Sequence, residues 1–178
     1  MAPFHDLLSK TDRALAAYVI ATATGVSGIA AMTYAGKRSL TKSRPNITAF
    51  AESWTPDPNN LGSYIIKASI NVITSAVLTQ GESEPDRRKA SVSLVSSIFD
   101  VFYNSIDNLD TTPIADAITA AARALAVSDA ANNSDLADFK CDEFQVTGGG
   151  LDFDAENAFW RDTLEIELHC RPVTNTEP

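Results

Sequence analysis

The sequence predicts an α+β fold: a single domain in which a mixed, mainly antiparallel β-sheet is flanked by helices and extended by a long strand or hairpin arm. Three patterns carry this expectation. Apolar side chains recur at helical spacing in two stretches, Leu8–Thr22 and Leu94–Phe102. Between them, Tyr64, Ile66, Ala68, Ile70 and Val72 alternate with Ile65, Lys67, Ser69 and Asn71, the period of a sheet with one dry face. Further on, Trp160, Leu164, Ile166, Leu168 and Cys170 alternate with Arg161, Thr163, Glu165, Glu167 and His169. No internal repeat or low-complexity segment breaks the chain, so residues 1–178 read as one domain with loose ends over 1–5 and 173–178.

Each element has its own signal. A first helix is expected over Asp6–Ala23, with Leu8, Leu15, Tyr18, Val19 and Thr22 on one face and Lys10, Asp12 and Arg13 elsewhere. Gly25 supplies a left-handed stop. A short strand over Ile29–Tyr34 leads into a polar, basic connection from Gly36 to Pro45. Asn46–Trp54 reads as a strand closed by the turn cluster Thr55-Pro56-Asp57-Pro58-Asn59-Asn60. The strand Ser63–Leu78 is long enough to overhang a compact core, which makes it the arm.

Ser83 and Asp86 resemble a capping box with Pro85 in the first turn, opening a helix over Pro85–Tyr103. Its apolar stripe is Val95, Phe99 and Phe102, with Leu94 and Ile98 beside it. Arg87, Arg88 and Lys89 stand at its start, against the helix macrodipole, a placement that reads first as a solvated helix end and otherwise as contact with an acidic partner. A further helix opens at Thr112-Pro113 and presents Ile114, Ile118, Ala121 and Leu125. Ser128–Asp138 is expected to be a polar loop. Two closing strands lie around Gly148-Gly149-Gly150, read as a flexible turn, with Asp152–Glu156 at a solvated hairpin tip.

Composition excludes several classes. With 14 Lys and Arg against 23 Asp and Glu the net charge is −9, the wrong sign for a protein that coats nucleic acid. Cys141 and Cys170 are too few for a disulfide scaffold and fit no zinc spacing; a bridge requires their strands to pair, and buried thiols are the simpler expectation. The uncharged run Ala14–Gly36 has the length of a membrane span, but it consists mainly of Ala, Thr, Ser and Gly and gains little transfer energy. Asp6 and Asp12 stand where a secretory leader is basic.

Catalytic chemistry finds no support either. His5 and His169 lie beside no nucleophile elbow, and the glycines lack the Gly-Lys-Ser/Thr ending of a phosphate loop. The run Asp152-Phe153-Asp154-Ala155-Glu156 lacks the remaining ligands of a calcium loop. The most asymmetric feature is the basic stretch Lys37, Arg38, Lys42 and Arg44, suited to an acidic neighbour or to passing contact with DNA phosphates. These four residues, with Lys67, Ser69 and Asn71 on the wet face of the long strand, are the candidate protein-interface residues.

Taken in order, the segments resemble the tail terminator (tail completion) proteins of long-tailed bacteriophages. The matching parts are the helix Asp6–Ala23, the strand led by Pro45-Asn46-Ile47, the long strand Tyr64–Thr74, the Arg-bearing helix Pro85–Tyr103, and the closing pair Phe139–Val146 and Trp160–Pro172. Trp160 through Pro172 carries most of the likeness; the Ala/Thr/Gly stretch after the first helix and the helix Thr112–Ala126 depart from the pattern. The resemblance implies a non-enzymatic virion protein of the tail and neck, assembled in the host cytoplasm. It would form a homohexameric ring that caps the tail tube protein and meets the head-completion protein, with the tail sheath protein as a further neighbour. Genomic DNA would only pass through its lumen, which an acidic lining would keep from adhering, and no cofactor, metal or membrane is implied. A head–tail adaptor or other minor tail protein, and a small-molecule-binding module, are the alternatives.

Overall fold

The computed structural model describes residues 3–23, 31–32, 44–103 and 112–173. Helix α1 (Pro3–Ala23) is followed by strands β1 (Ala31–Met32), β2 (Asn46–Pro56) and β3 (Tyr64–Ser75). Helices α2 (Glu84–Tyr103) and α3 (Thr112–Ser128), a single turn α4 (Ala130–Asn133) and a 3-10 turn (Ser134–Asp138) come next, before β4 (Phe139–Asp154) and β5 (Phe159–Pro172). The strands form one sheet in the order β1-β2-β3-β5-β4, parallel between β1 and β2 and antiparallel elsewhere. The α+β class, the single domain and the mainly antiparallel sheet are as the sequence predicts.

Strand alternation sorts the sheet into two unlike faces. On one, Ile47, Ala49, Ile66, Ile70, Val72, Phe144, Leu164, Ile166 and Leu168 are buried in a continuous core under the helices. Helix α1 lies against β2 and α3 against β4. Leu7, Ala14, Leu15, Tyr18 and Val19 of α1 and Ile114, Ala115, Ile118, Ala122 and Ala126 of α3 complete that core. The many alanines on the facing sides keep both helix backbones close together. Helix α2 closes the end of the same face with Val95 and Ile98, where the Thr74 and Ser91 hydroxyls share a hydrogen bond of 2.5 Å.

Several expectations require correction. The strand Ser63–Leu78 is no overhanging arm: β3 ends at Ser75 and is paired along its length with β2 on one side and β5 on the other. It is the sheet's centre, which is why it is so apolar. The glycines do not form a turn either. β4 runs straight through Gly148–Gly150, and the turn falls at residues 155–158, where Asn157 N–H donates to Asp154 Oδ1 at 2.9 Å. Glycine is needed at 149 for a different reason: a Cβ there would stand 2.9 Å from the Thr163 carbonyl oxygen.

The expected loop 128–138 is helical, because Asp129 holds the Asn132 and Asn133 amides and Leu136 is fully buried. Lys10, expected off the apolar face by its spacing, is buried in α1 and paired to Asp6 at 3.2 Å, and Thr11 beside it is buried too. Cys141 and Cys170 do meet, directly opposite one another in β4 and β5, as free, buried thiols. Burial is the main cause that raises the Cys170 thiol above its ordinary range, and the adjoining Cys141 adds to it.

Candidate interaction site

Of the residues singled out in the sequence, Lys37, Arg38 and Lys42 lie outside the described residues. Arg44 is turned inward. Its Nη1 donates to the Asn157 and Ala158 carbonyls at 2.9 and 3.2 Å, and its guanidinium lies 4.7 Å from the Phe159 ring centroid. The Ala158 carbonyl also accepts from Ala76 N–H at 2.9 Å, so Arg44 pins the β4–β5 turn against the end of β3.

Lys67 is exposed on the helix-free face, as expected, but Ser69 and Asn71 on the same side are not. They are only 4% and 5% exposed. Both are short side chains on the central strand, hemmed in by longer cross-strand neighbours. Ser69 Oγ donates to Glu52 Oε1 at 2.6 Å, and Thr163 Oγ1 donates to Asn71 Oδ1 at 2.7 Å. These residues hold the sheet together rather than offering themselves to a partner. Around Lys67, the side chains of Glu52, Thr147, Glu165 and Glu167 line a shallow depression of ≈ 250 Å³. Three carboxylates against one ammonium make that patch acidic.

A second polar group lies further along the same face. His169 Nδ1 is 3.1 Å from Asp57 Oδ2 and 3.8 Å from Glu143 Oε2, and its Nε2 is 3.7 Å from Glu167 Oε1. The Asn59 N–H bond lowers the Asp57 carboxyl below its ordinary range, with His169 contributing less. The carboxylates surround the ring from both sides and share no focus. Among the described residues, no group of three or more His, Cys, Asp or Glu side chains is arranged to hold a metal ion.

The basic start of α2, which sequence reasoning assigned to a solvated end or an acidic partner, finds its acid within the chain. Arg88 makes a two-pronged bond to Asp162, at 3.0 and 3.2 Å, with its guanidinium 5.3 Å from the Trp160 ring centroid. On the other side of the molecule, Arg13 grips Asp135 at 2.6 and 2.9 Å and also Asn133 Oδ1, tying α1 to the turn before β4. The Arg13 bond is the main cause that holds the Asp135 carboxyl below its ordinary range.

A lowered carboxyl stabilises the fold at neutral pH, and that contribution disappears as pH falls through the lowered value. Half-exposed Asp135 is worth about 1 kcal/mol or less after screening. Thermal melts should therefore show wild type losing its margin over Arg13→Gln as pH drops from about 4. An unchanged margin at pH about 2 refutes this. Asp12 works in the opposite sense. Burial raises its carboxyl, which caps the Ala51 N–H on the edge of β2, so its ionised form costs stability as pH rises.

The residues that sequence reasoning missed are on β4. Among the described residues this 16-residue strand ends the sheet order and pairs on one side alone, with β5. Past the glycines its edge carries Leu151 and Phe153, 56% and 53% exposed. Their alternation with Asp152 and Asp154 was the available signal. Unpaired backbone flanked by exposed apolar side chains is a template for strand addition. A cavity of ≈ 340 Å³ between α1 and α3 is lined by Ala17, Ile20, Ala21, Ala121, Ala124, Leu125 and Ser128, with no charged group to orient a ligand. No helix among the described residues is long and apolar enough to cross a membrane. Compared with known proteins, the chain matches no family model and no curated sequence.

Proposed function

We propose that this chain is a non-enzymatic structural subunit of a phage virion, a tail terminator that closes into a homohexameric ring. The ring caps the tail tube and joins it to the neck. The observation that supports this reading best is the edge of β4, unpaired among the described residues, with Leu151 and Phe153 beside it, since a ring member needs a rigid body and a sticky margin more than reactive side chains. The acidic face around Glu52, Glu165 and Glu167 supplies a lining from which DNA phosphates are repelled while the genome slides past. Assembly takes place in the host cytoplasm, and the tail tube, head-completion and sheath proteins are the partners.

Electron microscopy of the purified chain, alone and mixed with tail tubes, tests the reading. The expected result is a six-fold ring, free or seated on tube ends. Leu151→Lys, which alters an exposed side chain, is expected to fold normally and fail to form it. Bare tube ends with wild-type protein present would sink the proposal.

A further inference from the structure

We infer that the cleft where β2, β3 and α2 meet is an oxyanion site that takes a phosphate group. This stands apart from the ring reading. The cleft has a volume of ≈ 200 Å³, and its lining includes Arg44, Ser75, Arg87, Ser91 and Leu94. In a chain of net charge −9, two guanidiniums share one small concavity whose described lining holds no carboxylate.

Backbone carbonyls hold Arg44, and a backbone carbonyl together with Glu82 holds Arg87. Arg44 is anchored through Nη1 to the Asn157 and Ala158 carbonyls, and its Nε and Nη2 donate to no group among the described residues. Arg87 Nε donates to the Ser75 carbonyl at 3.1 Å, and its Nη1 makes a long ion pair of 3.6 Å with Glu82 at the rim. The Ser75 hydroxyl accepts the Val77 N–H at 3.2 Å, which leaves its own proton to donate.

Among the described residues Arg44 has no carboxylate beside it and Arg87 has only the long pair with Glu82, so an anion in the cleft gains from both cations. Guanidinium forks with a hydroxyl donor suit the several oxygens of a tetrahedral phosphate. The carbonyls orient the forks in advance, so little ordering is left to binding. The shared chemistry is the phosphate group itself, either free or carried on a nucleic acid backbone.

Calorimetric titration of the purified full chain with inorganic phosphate, against chloride at equal ionic strength, tests the site. Saturable binding is expected for phosphate alone, weakened at least about tenfold in R44Q and in R87Q. Because Arg44 also pins the β4–β5 turn, thermal melts accompany each variant, and R87Q decides the matter if R44Q is unstable. A short DNA duplex added in competition separates the sources. Displacement of phosphate places the group on nucleic acid, and its absence places the group on a small molecule; either supports the site. Heat that chloride reproduces, or phosphate affinity unchanged in folded R87Q, would overturn it.

Discussion

Phe144→Ala is expected to destabilise the fold by about 3–5 kcal/mol, against a typical total of about 5–15 kcal/mol. Phe144 lies on the helix-covered face of β4, opposite Leu168 of β5, and is fully buried. It follows a bulge in the strand, between Cys141 and Glu143, so backbone and ring position are coupled and the neighbours have little freedom to collapse into the space. Phe144→Leu keeps most of the volume and should cost less, about 1.5 kcal/mol. Urea denaturation of both variants checks the order. Near-equal midpoints for wild type and alanine would mean that β4 is not seated in the core as described.

The next largest effect is expected at Asp162. Its carboxylate takes both prongs of Arg88, which ties α2 to β5, and the two side chains are only 13% and 24% exposed. Asp162→Ala leaves a cation over Trp160 with the Ser91 hydroxyl as its remaining bond, at 3.1 Å. Loss of a shielded, charge-assisted pair costs about 1.5–3 kcal/mol. Arg88→Met with Asp162→Ala should recover part of that loss, because neither charge is then stranded. A double-mutant cycle in which the two changes simply add would refute the coupling. The pair also explains a placement that local rules disfavour: three bases at the start of a helix are tolerated when one of them meets an acid from a distant strand.

What could be read in the sequence depended on whether a pattern was local and unbroken. β3 and β5 keep strict alternation, and their faces were legible residue by residue. β4 was not, because it slips frame twice. Phe139, Cys141, Phe144, Val146, Gly149, Leu151 and Phe153 share one face only once the extra residues at Asp142 and Thr147 are allowed for. Bulges are set by pairing with the neighbouring strand, which a single segment does not display. The same non-locality hid Ser69 and Asn71. Polar and alternating, they read as wet, and only the order of strands reveals that they stand at the centre. The folded segment 128–138 was obscured by its Asn, Ser and Asp content, normally a loop signature, which here ties the short helical turns together through the Asn132 and Asn133 side-chain amides that donate to the Asp129 carboxylate. For Arg44, charge was visible in the sequence, whereas the backbone carbonyls that claim it come from the distant β4–β5 turn.

Because β5 is inserted between β3 and β4 rather than added at the margin, the sheet is completed out of chain order. Every bond between β3 and β5 must close across α2, α3 and β4, a long-range event that slows the search for the native topology. A nascent polypeptide halted before Phe159 emerges has β2 and β3 joined as a hairpin, while β4 finds no mate. During synthesis, then, two sticky margins are presented together, and quality control by holdase chaperones is most needed in that interval.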